Sequence, residues 1–413
     1  MSENLSKWIE KNVLSQTFKR KNLTEFRKAL NYLELKKPKE IILIGGTNGK
    51  GSLVELITQL SIKNKISVGT FSSPHLLNFN ERIRIDGEEI NDTSFLNALK
   101  KAKRISKNLN FNFYQIISLA ALDHFNNFDL DLWVLEIGMG GRLDPMNSLN
   151  PDLSVITKVA LDHQEFLGDT IEKIAEEKVA IARKEKPLIF GSSNIPNTIQ
   201  KKTLKIKAKL ISPKHNKKSK EFSKLLNSLS DKNILSKEVL FCADQILQHS
   251  KFNFSNKLTK NFLEKFKFFG RLTHFNNILL DSAHNEDAIK NLMKYLKKNH
   301  RKKKLNLFFC CSINKDPYSL LKPFEDKIDR IYLPDNIHDK LMSPKEVMSK
   351  AKDLNIEFVI KNSIEEVYSK TKNVKPNILN LIIGSFYFSG EFLKYFLEEK
   401  KLQISIKSLK KLI

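Results

Sequence analysis

Acidic residues are the minority in this chain: 46 aspartates and glutamates stand against 71 lysines and arginines over 413 residues, a formal net charge of +25. Cysteine is scarcer still. Cys242, Cys310 and Cys311 are too few for a disulfide framework, and the adjacent pair is expected on opposite faces of a strand. A reduced, cytoplasmic setting follows as an expectation. No stretch approaches the roughly 20 consecutive apolar residues of a membrane helix. Met1-Ser2-Glu3-Asn4 opens no basic-then-apolar leader, so no membrane partner is expected. The basic excess invites a nucleic-acid reading. The lysines, however, are scattered rather than gathered with aromatics into one patch, so no nucleic-acid partner is expected either. The charge suits a solvated lysine-heavy surface that helps to attract small polyanions such as nucleotides. What remains, 41% apolar and 28% charged residues, is ordinary for a globular protein, and 413 residues is enough for two domains.

Apolar runs with strand character recur at 40–44, 132–137, 153–157, 187–190, 277–281, 305–311, 330–333 and 379–383. Between them, helical spacing predicts helices over 53–60, 94–109, 115–127, 170–184, 286–299 and 344–353. Strand and helix taking turns predicts an α/β fold, with parallel sheets carrying helices on both faces. Lysine and serine dominate 195–265, where Lys217, Lys218 and Lys220 form a charge run without a chemical motif. That stretch is expected to be surface structure closing a first domain near Lys267, with a second α/β unit beyond it.

The densest chemical signal is Gly45-Gly46-Thr47-Asn48-Gly49-Lys50-Gly51-Ser52, between the apolar run 41–44 and the helical pattern from Leu53. A strand, a glycine-rich turn and a helix N-terminus form a phosphate cradle. Backbone amides approach the phosphates, the helix dipole favours the anion, and a lysine reaches the outer phosphates. The match to G-x-x-x-x-G-K-[ST] is imperfect: Ile44 stands where a glycine belongs, and Gly51 separates Lys50 from Ser52. Further on, Glu136 ends an apolar strand that opens into Gly138, Gly140 and Gly141. Ligands of open α/β sheets bind beyond the carboxyl ends of strands, and a carboxylate there suits Mg²⁺, or simply caps the next turn. Asp162-His163 follows another strand end, where the imidazole is a candidate for a second metal or an ordinary hydrogen-bonding group. Lys178 lies mid-pattern in a helix and reads by default as a solvated lysine. Asp281-Ser282-Ala283-His284-Asn285 again places polar residues at a strand end. Gly270-Arg271, at the expected domain junction, offers a guanidinium suited to a phosphate or to a surface salt bridge.

Together these stretches resemble the folylpolyglutamate synthase/dihydrofolate synthase family of the Mur-ligase superfamily. The resemblance runs from about Asn22 to Glu391 through GTNGKGS (46–52), SSPHL (72–76), NERI (80–83), LEIGMGGRLD (135–144), LDH (161–163), EEKVAIA (176–182), GR (270–271), DSAHN (281–285) and GSFYFSGE (384–391). It implies a P-loop-containing Mur-ligase-like ATP-binding domain over 1–267, followed by a smaller Rossmann-like α/β glutamate-ligase domain over 268–413. It implies ATP phosphates held by Thr47, Asn48, Gly49, Lys50, Gly51 and Ser52, with Arg271 and Asp281 also on the nucleotide. By the same resemblance Ser73 and Glu136 ligate one Mg²⁺, His163 holds a second, and Lys178 is carbamylated. Lys50, Glu136, His163 and Lys178 would then carry the catalysis. Asp144 matches the aspartate at the pterin of members that use dihydropteroate, with Tyr114 at the same pocket. His284, Asn285 and Ser385 would line the entry of the amino acid.

The implied activity is ATP-dependent attachment of L-glutamate to dihydropteroate and to the glutamate tail of reduced folates, through an acyl phosphate, by a monomer. Departures from the family pattern touch the substrate. The usual Phe-Glu is Tyr114-Gln115, Thr273 follows Arg271-Leu272, and Ser282 and Glu286 replace glycine and proline. A synthase that only extends the tail is the nearest alternative. A cell-wall or cyanophycin-type amino-acid ligase shares the cradle but lacks reason for the SSPHL and NERI stretches. A P-loop nucleic-acid ATPase would show the unbroken G-x-x-x-x-G-K-[ST], and a binding module would have no use for the full set of metal and phosphate residues.

Overall fold

Glu40–Gly45 is buried at every position, as a strand covered on both faces must be. In the computed structural model, which describes residues 3–14, 23–214, 235–255, 262–263, 266–372 and 375–412, this strand, β1, lies inside an eight-stranded sheet. The others are β2 (Val68–Phe71), β3 (Ile83–Ile85), β4 (Glu88–Glu89), β5 (Leu132–Glu136), β6 (Leu153–Ile156), β7 (Pro187–Phe190) and β8 (Lys209–Ile211). Their order is β4-β3-β2-β5-β1-β6-β7-β8, parallel from β2 to β8, with β3 and β4 antiparallel at one edge. Ile41 and Leu43 join Phe71, Trp133 and Leu135 in one apolar layer with the helices Asp92–Ile105 and Phe113–Phe125. Ile42 and Ile44 alternate to the other face, where the helices Lys50–Lys63 and Lys237–His249 lie.

The second sheet has six strands: β9 (Thr273–Phe275), β10 (Ile278–Leu280), β11 (Lys304–Phe309), β12 (Ile328–Pro334), β13 (Phe358–Lys361) and β14 (Ile378–Ile383). Their order is β13-β12-β11-β14-β10-β9, and only the edge pair β9/β10 is antiparallel. One face packs on Glu286–Asn299 and the other on Phe386–Glu399. Cys310 and Cys311 fall into the apolar layers on opposite faces, both buried and unpaired in any disulfide. The sheets belong to two units, Met1–His75 with Phe79–Phe266, and Leu76–Asn78 with Lys267–Ile413.

The eight expected strands and the alternating order are present, with ends shifted by at most two residues. The surface reading of 195–265 needs correction. Lys237–His249 buries Val239, Leu240, Phe241, Cys242, Ala243 and Ile246 against the first sheet and the helix that follows the glycine turn. Its apolar residues are core, and the lysines flanking the stretch concealed that. Lys217, Lys218 and Lys220 lie outside the described residues.

Candidate functional site

Four adjacent strands of the first sheet, β2, β5, β1 and β6, deliver their carboxyl ends side by side, and each ends in, or runs on into a loop that carries, a residue singled out above. The register sets Ile44 of β1 beside Glu136 of β5, Phe71 of β2 beside Leu135, and Gly45 beside Ile156 of β6. Parallel strands thus bring the glycine turn, Ser73, Glu136 and the loop to His163 to one edge.

The turn after β1 needs its glycines. Gly46 has φ +135°, and a Cβ there would lie 1.9 Å from the Thr157 Oγ1; Gly49 has φ +88° and caps the Lys50–Lys63 helix in the left-handed region. Thr157 holds the turn by donating from Oγ1 to the Asn48 carbonyl (2.7 Å), and Thr47 exchanges hydrogen bonds with Ala160 (3.0 and 3.2 Å). Lys50, Gly51 and Ser52 occupy the first turn of the helix, where amide N–H groups lack intrahelical partners and attract anions. Thr157 carries no motif of its own, and sequence reasoning missed it.

Lys178 is not a solvated helix lysine. It is 3% exposed, and its Nζ donates to the Gly46 carbonyl at 3.0 Å, the same oxygen that the Lys50 Nζ reaches at 3.2 Å. Burial, reinforced by Lys50 and opposed by Asp162 and Glu177, pushes its pKa down to about 7. A neutral amine is therefore accessible there at physiological pH. The helix Ile171–Val179 is fixed to the loop after β5 by Arg142, which donates to the Glu177 Oε1 from Nε (2.9 Å) and from its terminal nitrogen (2.8 Å). Arg183, also missed from sequence, clamps the same region, donating to the carbonyls of Asn147 (2.9 Å), Leu149 (2.7 Å) and Ile181 (3.0 Å).

Glu136 is 2% exposed, and its Oε2 accepts from the Ser73 backbone N–H at 3.0 Å, which fixes the carboxylate beside the serine. Tyr114 joins them, its hydroxyl donating to the Glu136 carbonyl at 3.3 Å. Asp144 is buried with its carboxylate turned inward, accepting from the amides of Gly138 (2.8 Å), Met146 (3.0 Å) and Met139. Burial raises its pKa to about 7, against the pull of those amides and with Glu136 adding to the rise. His163 takes a left-handed φ of +49° just past β6, its amide on the Asp162 carboxylate at 2.9 Å.

Among the described residues, no three His, Cys, Asp or Glu side chains converge to hold a metal alone. The donors present fit Mg²⁺ nonetheless, since that ion takes one or two carboxylates and completes its shell with water and phosphate. A groove of about 400 Å³ opens nearby, lined by Leu23, Arg27, Arg142 and Leu143, so two guanidiniums border it. Arg27 was not legible as a site residue.

In the second unit, the carboxyl ends of β10 and β14 gather the remaining candidates. Asp281 is buried with its pKa raised by that burial, and it accepts from the Leu272 amide at 2.9 Å and pairs with Arg271 at 3.4 Å. The Arg271 guanidinium lies 4.9 Å from the centre of the Phe386 ring, which also meets the His284 ring at 5.6 Å. Asn285 and Ser385 are buried helix N-caps, accepting from Ala288 (3.0 Å) and Tyr387 (3.1 Å).

Comparison with known proteins places this arrangement. The chain matches the Mur ligase middle domain over residues 44–259 and the dihydrofolate synthetase C-terminal domain over 266–395. A dihydrofolate synthase/folylpolyglutamate synthase of Buchnera aphidicola subsp. Schizaphis graminum is 30% identical over 393 residues, which span 91% of this chain and 92% of the relative. Among solved structures, FolC of Escherichia coli in complex with DHPP and ADP has a TM-score of 0.85 at 22% identity, over 96% of this chain and 98% of that one. The bifunctional folylpolyglutamate synthase/dihydrofolate synthase of Yersinia pestis, complexed with AMPPNP and Mn, gives 0.83 at 22% over the same shares. No described helix is long and apolar enough to cross a membrane. With the Mur ligase middle domain covering more than half its length, and a full-length relative at 30% identity, the chain belongs to the dihydrofolate synthase/folylpolyglutamate synthase family.

Proposed function

We propose that the chain is an ATP-dependent ligase that joins L-glutamate to dihydropteroate, making dihydrofolate, and to the glutamate tail of reduced folates. The carrying observation is the convergence, at neighbouring parallel strand ends, of the glycine turn with Lys50, the Ser73–Glu136 pair and the buried Lys178. A carboxylate is a poor acyl donor. Its oxygen attacks the γ-phosphorus of ATP, the bond to ADP breaks, and an acyl phosphate forms. The glutamate amine then attacks the acyl carbon, loses a proton, and phosphate leaves. Hydrolysis would waste the acyl phosphate, so the protein's task is alignment and exclusion of water.

Residues 1–267 are assigned as the ATP-binding domain and 268–413 as the glutamate-ligase domain of a monomer. Thr47, Asn48, Gly49, Lys50, Gly51 and Ser52 hold the phosphates, and Arg271 and Asp281 are the second unit's nucleotide contacts. Two Mg²⁺ ions, one on Ser73 and Glu136 and one on His163, would supply charge neutralisation during phosphoryl transfer. The Tyr114 ring and the loop shaped by Asp144 border the pterin, and Arg27 and Arg142 suit the anionic end of the acceptor. His284, Asn285 and Ser385 serve the amino acid.

Lys178 is assigned as a carbamate. The neutral amine nitrogen bonds to the carbon of CO2 and releases a proton, leaving an anion where two ammonium groups otherwise share one carbonyl. Its lowered pKa supports that chemistry, because only the unprotonated amine reacts.

The test is phosphate release from MgATP and L-glutamate, with dihydropteroate and tetrahydrofolate in separate reactions. Release with both supports the bifunctional reading. Release with tetrahydrofolate alone leaves a tail-extending synthase and points to Tyr114-Gln115 as the reason. Silence with both refutes the reading.

A further inference from the structure

The helix Lys237–His249 is fastened at both ends of β1. Its 13 residues reach about 20 Å, the length of a six-residue strand such as β1. Just past the helix, Ser250 donates from Oγ and Lys251 from its backbone N–H (3.1 Å) to the carboxylate of Glu40, the buried first residue of β1. Lys251 adds its Nζ to the Lys39 carbonyl (2.7 Å) and to Asp152 (2.8 Å). At its other end the helix meets the glycine turn that follows β1. A Cβ at Gly49 would lie 2.6 Å from the Val239 Cγ2, so the valine methyl fills the space that a side chain there would need. The same helical turn presses on Gly191, just past β7. A Cβ there would lie 2.8 Å from the Cys242 Sγ, 2.9 Å from the Glu238 carbonyl oxygen and 2.3 Å from that of Thr157, whose hydroxyl holds the Asn48 carbonyl.

We propose that Val239 is a positioning residue for the phosphate-binding turn, its branched side chain holding Gly49 at the left-handed φ from which the Lys50–Lys63 helix starts. A glycine visits positive and negative φ almost equally, so residue 49 keeps its +88° only where its neighbours exclude the alternatives. Thr157 fixes the carbonyl of residue 48 on one side, and the first helical turn begins on the other. Between them Val239 is the closest wall. From the same Cβ position the next neighbours, the Thr157 Cβ and Cγ2, are 3.9 and 4.0 Å away. Valine suits the task, because in a helix a β-branched side chain keeps essentially one rotamer and does not swing aside. Held at the far end by Glu40, the helix acts as a brace along β1 that presses this methyl onto the turn. The inference rests on the proposed phosphate site at residues 47–52.

The test is calorimetric titration of ADP with Mg²⁺ into the full chain, for the parent, Val239→Ala, Val239→Thr, Ile246→Ala and Lys50→Ala, beside steady-state rates and melting temperatures. Val239→Ala removes both methyls. The competent turn should then be populated about a tenth of the time, so ADP should bind about tenfold more weakly. KM for ATP should rise likewise, while KM for L-glutamate should match the parent. Val239→Thr keeps the branched shape and should bind ADP as the parent does. Ile246→Ala opens a cavity at a fully buried position of the same helix, about two turns from the contact. It should lower the melting temperature at least as far as Val239→Ala and leave ADP affinity unchanged. Parent-like ADP affinity in Val239→Ala overturns the inference. An equal loss in Ile246→Ala also overturns it, since lost stability would then be the cause, and so does an equal loss in Val239→Thr, since shape would not. Lys50→Ala separates the two readings: if it binds ADP as the parent does, the phosphate site itself is misplaced. If it loses ADP while Val239→Ala does not, only the role of Val239 falls.

Discussion

Lys178→Met replaces a buried ammonium by an apolar chain of similar length, and its effect on stability must change with pH in a calculable way. Burial and the neighbouring Lys50 bring the Lys178 pKa from 10.5 down to about 7. Below pH 7 both folded and unfolded chains carry the proton, and the folded parent bears the whole penalty of the buried charge, roughly 5 kcal/mol as an upper bound. Between about 7 and 10.5 the unfolded chain binds one proton more than the folded chain, so the parent gains stability as pH rises. The gain is about 1.4 kcal/mol per pH unit, or roughly 2 kcal/mol from pH 7.5 to 9. The methionine variant lacks this gain while keeping every other titrating group, so the difference between the two proteins isolates Lys178. Urea unfolding of both at pH 6, 7.5 and 9 in CO2-free buffer measures it. The variant should be the more stable at pH 6, and its advantage should shrink between pH 7.5 and 9. Parallel curves over that interval would refute the buried-ammonium argument. Adding ¹³C-bicarbonate at pH 8 should then stabilise the parent alone and give a carbamate carbon resonance that the variant lacks.

Other perturbations probe the neighbouring parts. Glu136→Ala should lower the rate of ligation at least about 100-fold, as removal of a ligand that organises transition-state charge does; near-normal turnover at saturating Mg²⁺ would sink its assignment. Gly46→Ala places a methyl 1.9 Å from the Thr157 Oγ1 at a left-handed φ, and a melting experiment should register a loss of about 3 kcal/mol or more. An unchanged melting temperature would mean that the turn is not constrained as described. Arg183→Met strands the carbonyls of Asn147 and Leu149, so stability should drop by about 3 kcal/mol. Because the same segment carries Asp144, KM for dihydropteroate should rise more than KM for ATP, and an equal rise in both would argue against a local effect.

What the sequence made legible, and what it hid, divides along physical lines. The central strands were readable because parallel strands buried on both faces are near-continuous apolar runs, as 41–44 and 132–135 are. The short edge strands β3, β4, β8 and β9 have two or three residues each, too few for a period to register. Lys237–His249 is hidden for the opposite reason: its apolar residues follow a lysine-rich stretch whose composition masks their helical spacing. Within the site, the glycine turn and Glu136 announced themselves by local pattern, because a turn with positive φ and a carboxylate at a strand end are consequences of a few consecutive residues.

Lys178 is the instructive opposite. As a residue type in a charged helix it looks no different from Lys173 five residues earlier, which is exposed and paired with Asp169 at 2.8 Å. What distinguishes it is that β1 and the helix Ile171–Val179, more than a hundred residues apart in the chain, meet where the Gly46 carbonyl can accept its hydrogen bond. Arg27 and Thr157 are hidden in the same way: each acquires a role only when another element arrives beside it. Desolvation, the larger of the two causes that bring this lysine to a pKa of about 7, is like the approach of Lys50 a property of the assembled fold and not of any window of sequence. The family resemblance reached Lys178 from the sequence; what sets it apart physically is the shared Gly46 carbonyl, where a second ammonium beside Lys50 is unfavourable.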